Sequence, residues 1–128
     1  MEFPEELLYS EDHEWVRDEA NQVTIGITDY AQSQLKDIVY VDLPEIGSEY
    51  KKGESMGVVE SVKTVADIFS PVTGNVLEKN LELKDHPEWV NTDPYGKGWL
   101  LRMELNEKEE LKGLLSSKAY QGTLSEDS

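Results

Sequence analysis

The chain lacks cysteine and is poor in basic residues, and each shortage excludes a class of function. With no cysteine among 128 residues, a disulfide framework, a thiolate metal site and a cysteine nucleophile are excluded. The 12 lysines and arginines stand against 27 aspartates and glutamates, and the net charge of −15 repels phosphate backbones and anionic lipid surfaces. We therefore expect neither a nucleic-acid partner nor a membrane partner.

The sequence also lacks long apolar runs and is poor in histidine. No segment approaches the roughly 20 apolar residues that cross a bilayer, and the start, Met1 to Glu6, lacks the pattern of a signal peptide. We therefore expect a soluble intracellular protein, cytoplasmic if the source is a prokaryote. The two histidines, His13 and His86, do not have ligand-like spacing, so no metal site is predicted.

Short runs of β-type residues between turn residues dominate the first hundred positions. The runs predicted as strands are Glu14–Arg17, Gln22–Ile27, Ile38–Leu43, Ser55–Glu60, Val65–Phe69, Gly74–Lys79 and Trp99–Leu105. A chain of this length fits a single domain with one core. The pattern predicts a mainly β fold, a small flattened barrel or sandwich over residues 1–128, with a frayed tail at 123–128.

Two helices are predicted beside the strands. Thr28–Leu35 is expected to form a short helix covering an open end of the barrel, with Thr28 or Asp29 as its N-cap and Gln32 placed to complete a capping box from Asp29. A C-terminal helix is expected to begin at Asn106 and to dock through an apolar stripe. The stripe consists of Leu111, Leu114 and Leu115.

The most informative segment, Gly57 to Val76, contains two apolar strands joined by a short polar connection. Pairing of the two strands is expected to place the turn at Ser61–Thr64, with Lys63 at its tip. A lysine on a rigid hairpin tip is reachable from many directions. Taken alone, such a lysine is more often a solubilising surface charge, so the neighbouring residues decide its interpretation.

The hairpin resembles those of lipoyl and biotinyl carrier domains, which present a modified lysine with a downstream glycine in the returning strand, here Gly74. Biotinyl domains typically flank their lysine with methionines, whereas Val62 and Thr64 flank Lys63. The resemblance therefore favours lipoate, covalently attached to Lys63. The fold that it implies is the flattened barrel of the lipoyl-biotinyl carrier type.

The motif Glu60-Ser61-Val62-Lys63 resembles the attachment motif of glycine cleavage H proteins, and the resemblance extends over nearly the whole chain. The other matching blocks are His13–Trp15, Gly26–Gln32, Val41–Pro44 and Val90–Trp99. Three residues depart from the family pattern: Thr64 stands where alanine is common, Ser10 where threonine is common, and Lys36 where glycine is common. Of these three departures, only the one at Lys36 concerns the conformation of a local turn.

This resemblance implies a carrier protein and not an enzyme. It implies that Lys63 carries the lipoyl group, with Glu60, Ser61, Val62 and Thr64 as the attachment context. The arm would take an aminomethyl group from a pyridoxal-phosphate glycine decarboxylase (P protein) to an aminomethyltransferase (T protein), and reducing equivalents to a dihydrolipoamide dehydrogenase (L protein). Lipoate-attaching enzymes would modify the unloaded chain.

H proteins dock the loaded arm against their own surface, and the resemblance implies candidate docking residues here. Glu14 is the first candidate for contacting the amine, with Asp67 and Asp12 as further candidates, because a carboxylate can pair with an ammonium group. The alternative is that Glu14 is an ordinary exposed strand carboxylate.

Several alternatives stay open at the level of sequence. An H-like protein that relays lipoyl groups to other enzymes has the same motifs. A lipoyl domain of a 2-oxoacid dehydrogenase shares the arm but lacks the amino-terminal and late-loop blocks. From other classes, an acidic adaptor without a cofactor remains open, as does an enzyme with Lys63 as nucleophile. Glu60 and Asp67 are the only carboxylates near Lys63 in sequence, which disfavours the enzyme.

Overall fold

The computed structural model describes residues 1–125 and places their strands in two antiparallel sheets. The strands within this range are β1 (Leu8–Tyr9), β2 (Glu14–Glu19), β3 (Gln22–Ile27), β4 (Ile38–Asp42), β5 (Glu49–Tyr50), β6 (Ser55–Ser61), β7 (Val65–Phe69), β8 (Gly74–Lys79) and β9 (Leu101–Leu105). The helices are α1 (Asp29–Leu35), α2 (Trp89–Thr92) and α3 (Ser117–Ser125), with 3₁₀ segments at Leu81–Lys84 and Lys108–Gly113.

The two sheets form a flattened sandwich that does not close into a barrel. The larger sheet has the order β1-β2-β3-β9-β8-β5, and the smaller has the order β4-β6-β7. Aliphatic side chains from both sheets share one core, for example Ile25 of β3 and Val59 of β6. The predicted mainly β fold is therefore confirmed. Within residues 1–125, none of the helices has the length and hydropathy that crossing a bilayer requires.

All seven predicted strands are present in the structure. Strands β3, β7 and β8 have the predicted bounds, whereas β9 begins two residues later than predicted, at Leu101. Two strands, β1 and β5, were not predicted. Each contains two residues, which is too short to show a periodic pattern.

The predicted covering helix α1 begins at Asp29, with Thr28, one of the two candidate residues, as its N-cap. The Thr28 hydroxyl accepts a hydrogen bond from the Ala31 amide at 3.1 Å. Gln32 does reach back to Asp29, but it donates to the Asp29 carboxylate at 2.7 Å. Leu35 packs against the core between the sheets, so α1 is held by both its cap and its apolar face.

The predicted helix from Asn106 is wrong. Residues 108–113 form a 3₁₀ segment, after which the chain is extended and pairs with β1 through two hydrogen bonds between Tyr9 and Leu115, of 2.8 and 2.7 Å. Backbone groups used in this bridge cannot take part in a continuous helix. The C-terminal helix α3 therefore begins only at Ser117. Of the tail predicted to fray, 123–125 belong to α3, and 126–128 lie outside the described residues.

A second, aromatic cluster joins α3 to the rest of the fold. Tyr120 of α3 is fully buried and stacks on Tyr9, with ring centroids 4.9 Å apart. Its hydroxyl lies 2.7 Å from the Thr28 hydroxyl and 2.8 Å from Nδ1 of His13. The C-terminal helix is thereby tied to the N-cap of α1 and to the turn before β2.

The chain leaves α1 through a strained residue, Lys36. Its φ of 64° and ψ of −144° lie near a region that is essentially restricted to glycine, and a residue with a Cβ there costs on the order of 1–3 kcal/mol. This is the position at which the sequence departs from the glycine that is common in the resembled family. The departure therefore coincides with a real conformational demand.

We predict that Lys36→Gly stabilises the fold. Relief of the strain exceeds the roughly 0.5–1 kcal/mol that glycine costs in backbone entropy, so the free energy of unfolding should rise by about 1 kcal/mol. Denaturant unfolding measures this change. Lys36→Ala is the matched control because it removes the same side chain but keeps the Cβ. Equal stability of the glycine and alanine variants would contradict the assignment of strain.

Candidate functional site

The predicted hairpin is present, and Lys63 is the middle residue of its exposed connection. Strands β6 and β7 pair with Glu60 opposite Val65, and the Ser61 amide donates to the Thr64 carbonyl at 2.8 Å. The turn therefore falls where the sequence predicted it. Neighbouring Val62 is 70% exposed and Val65 is 55% exposed, so the lysine stands among apolar side chains that are themselves open to solvent.

Ser61 clamps this turn from inside. Its side chain is buried, and its hydroxyl accepts from the Thr64 amide at 3.1 Å and lies 3.3 Å from the Thr64 carbonyl, to which it donates. The clamp fixes the backbone on both sides of Lys63 without touching the lysine side chain. Of the attachment-context residues, Ser61 and Thr64 thus have a clear structural role.

The Lys63 side chain is exposed, and no ion pair involving it or Glu60 occurs among residues 1–125. A primary amine without a charged partner at a fixed tip is available to an external enzyme. Gly74, in contrast, was wrongly placed in the returning strand. It opens β8 of the larger sheet, where a Cβ would collide with the backbone oxygen of Glu104 in β9.

Glu14, the first docking candidate, is buried with 1% of its surface exposed. One carboxylate oxygen accepts a hydrogen bond from the Ser10 hydroxyl at 2.6 Å, and the other accepts from the Phe69 amide at 3.0 Å. Burial raises the pKa of Glu14 to about 8, and the negative charge of Asp12 acts in the same direction, against the lowering effect of the two hydrogen bonds. The alternative of an ordinary exposed carboxylate is therefore wrong.

The other two candidates, Asp12 and Asp67, are exposed. Asp67 lies on β7 two residues before Phe69, and accepts a hydrogen bond from Ser55 at 3.1 Å. Asp12 lies in the turn before β2, beside a cleft of about 230 Å³ that Ser10 and Ser70 also line. The structure thus places Asp12 and Glu14 together at the start of β2, where Glu14 contacts β7 through the Phe69 amide, whereas the Asp67 carboxylate bonds to Ser55.

Sequence reasoning missed the contact that joins these two segments. The Glu14–Phe69 hydrogen bond connects residues 55 positions apart, and it uses a backbone amide. Because every residue except proline carries such a donor, no pattern of residue types marks Phe69. The placement of Glu14 at a strand start was visible, but its burial was not.

Comparisons with known proteins give matches over nearly the whole chain. The family model for the glycine cleavage H-protein matches residues 7–127. The chain is 51% identical to the glycine cleavage system H protein of Staphylococcus saprophyticus over 126 residues, which is 98% of this chain and 100% of that protein. It is 47% identical to the protein of the same description from Anaeromyxobacter sp. strain K over 126 residues, 98% of each chain.

The chain is also similar to a solved structure. The chain is similar to the crystal structure of a glycine cleavage system H protein from Mycobacterium marinum, with a TM-score of 0.84 and 38% identity. The match covers 95% of this chain and 98% of that one.

We predict that Glu14 makes the fold less stable as the pH rises. Its folded pKa of about 8 lies above the ordinary value of 4.5, so the folded state binds more protons between these values. Its contribution is complete below pH 4.5 and is lost as the pH rises through 8. Between pH 5 and pH 9, the free energy of unfolding should fall by at least about 1 kcal/mol more in the parent than in Glu14→Gln, since one pKa unit corresponds to about 1.4 kcal/mol.

Denaturant unfolding across this pH range measures the difference. Glu11→Gln serves as the control, because Glu11 is an exposed carboxylate in the same turn. It should follow the parent. Parallel pH profiles for the parent and Glu14→Gln would show that the buried carboxyl does not titrate in this range.

Proposed function

This chain belongs to the glycine cleavage H-protein family, and from that premise we propose that it is the lipoyl carrier of a glycine cleavage system. We propose Lys63 as the attachment residue. The observation that carries the proposal is the exposed primary amine of Lys63 at the centre of a hydrogen-bonded turn. The relatives' descriptions as glycine cleavage system H proteins support the same function.

The residues at the tip fit an attached lipoyl group. The Lys63 amine would hold it as an amide, which removes one positive charge, and the lysine stem plus the acyl chain would span on the order of 14 Å. When bound, the group supplies a dithiolane that carries an aminomethyl unit and reducing equivalents. Ser61 and Thr64 hold the backbone at the root of the arm, so the motion is confined to the arm.

The surroundings of Lys63 support a carrier and not an enzyme. Among the described residues, no side-chain hydrogen bond or ion pair reaches the lysine, so no general acid or base is positioned to use it as a nucleophile. An exposed tip suits several large partners in turn. We propose as partners the glycine decarboxylase, the aminomethyltransferase, the dihydrolipoamide dehydrogenase and the lipoate-attaching enzymes, with the net charge of −15 favouring basic surfaces on them.

We propose Asp67 as the carboxylate that a cationic group on the arm meets first. Asp67 is exposed and lies four residues along the strand from Lys63, about 13 Å at 3.3 Å per residue, which is within reach of the arm. Glu14 accepts a hydrogen bond from β7 two residues further on, at the Phe69 amide. It is buried, and both of its carboxylate oxygens are already hydrogen-bonded. Glu14 therefore stands behind Asp67 in the order of docking candidates, and the exposed Asp12 remains a further candidate.

The attachment site is tested by Lys63→Arg, which keeps the charge but removes the primary amine. The fold should be retained, and transfer of a lipoyl or octanoyl group by a lipoate-attaching enzyme should fall to background, because the guanidinium stays protonated at any workable pH. Peptide mass mapping locates any added group. Glycine decarboxylation with the partner enzymes should be lost at the same time.

Three other lysines provide internal controls, because they carry the same amine outside the turn. The control variants are Lys51→Arg, Lys52→Arg and Lys79→Arg. Each should be lipoylated and active like the parent. A Lys63→Arg chain that is lipoylated elsewhere and still supports turnover would remove Lys63 from the proposal.

The order of docking candidates can be tested without lipoate, because the chain has no cysteine. Lys63→Cys offers a unique thiol that can carry a chain of about the same length as the arm, ending in trimethylammonium. A chain ending in the isosteric tert-butyl group is the control. The cationic chain should perturb the carboxyl NMR resonance of Asp67 more than the tert-butyl chain does, because only the cation is attracted to a carboxylate. Equal Asp67 resonances for both chains would contradict docking at Asp67.

A further inference from the structure

Asn91, in the late-loop block Val90–Trp99, joins both ends of the connector between α1 and β4. Its side-chain amide donates to the Lys36 carbonyl at 2.7 Å and to the Gln32 side-chain oxygen at 3.0 Å. Its side-chain oxygen accepts from the Ile38 amide at 3.0 Å. One side chain thus hydrogen-bonds a side chain of α1, the C-cap residue Lys36 and the first residue of β4.

Asp37, which lies between Lys36 and Ile38, contacts the hairpin formed by β6 and β7. The Asp37 carbonyl accepts a hydrogen bond from the Val62 amide at 3.1 Å, and Val62 immediately precedes Lys63. In the part of the chain that the structure describes, this is the hydrogen bond that ties residues 62–64 to a segment outside the hairpin. The Ser61 clamp shapes the turn internally, whereas the Asp37 carbonyl extends the β4–β6 pairing, in which Ile38 lies opposite Ser61, one residue further toward the tip.

The connector between α1 and β4 keeps its conformation only while neighbouring residues hold it, because Lys36 is strained. A residue with φ of 64° and ψ of −144° persists only where its surroundings over-determine its conformation. Asn91 supplies part of that constraint through the Lys36 carbonyl. Relaxation of ψ at Lys36 would rotate the following peptide and move the Asp37 carbonyl away from Val62.

We propose that Asn91 is a positioning residue for the attachment lysine. It fixes the Lys36–Ile38 connector, and the connector fixes the direction of the tip through the Asp37–Val62 hydrogen bond. The inference deepens the proposed function of Lys63 and rests on it. A tip held in one direction spares each partner the cost of ordering it on binding.

Hydrogen exchange of the unmodified protein tests the first step. In Asn91→Ala, the Val62 amide should exchange roughly two- to tenfold faster, the factor that corresponds to the net contribution of one hydrogen bond. The Ser61 amide, which bonds within the turn, should keep its parent rate. If Asn91→Ala does not fold, Asn91→Asp replaces it, because it keeps the acceptor for Ile38 but loses both donated hydrogen bonds.

Asn80→Ala is the matched control. Asn80 is a buried asparagine whose amide also donates to two carbonyls, those of Lys97 at 2.8 Å and Trp99 at 2.9 Å, away from the connector. Its loss should lower global stability without selectively accelerating Val62. An equal selective effect of Asn80→Ala and Asn91→Ala on Val62 would overturn the assignment to Asn91.

Attachment kinetics and a rescue test the second step. With a lipoate-attaching enzyme, Asn91→Ala should raise the KM for the protein substrate by about threefold or more while kcat is kept, because ordering of the tip is added to the cost of binding. Adding Lys36→Gly should return both Val62 exchange and KM toward parent values, since glycine holds the connector's path without strain. A purely structural role would leave the KM of the folded Asn91→Ala protein unchanged and would accelerate exchange at Val62 no more than at other amides.

The outcomes separate the two proposals. A parent chain that is not lipoylated at Lys63 overturns the proposed function, while Val62 exchange still decides whether Asn91 positions the tip. If the parent is lipoylated but Asn91→Ala has the same Val62 exchange rate and the same KM as the parent, the positioning role is overturned. The proposed function then still stands.

Discussion

The pairing of strand β6 along both of its edges is the constraint on which the rest of the structure depends. β4 lies on one side and β7 on the other, while Met56 and Val59 anchor β6 in the core. Gly57 permits the close approach of β4, because a Cβ there would collide with the backbone oxygen of Asp42. A strand held on both edges and one face cannot shift its register, so the tip that follows it projects from a rigid base.

The opposite end of the hairpin meets a buried carboxylate. Glu14 is nearly inaccessible to solvent, and burial of its charge is costly unless hydrogen bonds compensate. Ser10 and Phe69 provide two such bonds, which do not prevent burial from raising the pKa of Glu14 to about 8. A carboxyl whose pKa is raised by burial, with the exposed Asp12 beside it, is the kind of arrangement that occurs at functional sites.

Local patterns predicted the β6–β7 hairpin better than they predicted the C-terminal segment. The turn at Ser61–Thr64 follows from two alternating strands and a polar connection, which are local properties of the sequence. The helix expected from Asn106 failed because Leu115 pairs with Tyr9, more than a hundred residues away. Intrinsic helix signals such as caps and stripes yield to backbone pairing with a distant strand, since propensity is a weak preference that tertiary context overrides.

The sequence by itself determined the fold class and the hairpin, because alternation and turn chemistry act over a few residues. Lys63 was singled out as the candidate attachment residue by the resemblance of its motif to that of glycine cleavage H proteins. The tertiary structure alone decided that Glu14 is buried and that Asn91 holds the connector beneath the tip. Both facts depend on hydrogen bonds between residues more than fifty positions apart, Glu14 with Phe69 and Asn91 with Ile38. Such bonds use backbone amides that every non-proline residue shares, so residue type does not reveal the partner until the chain is folded.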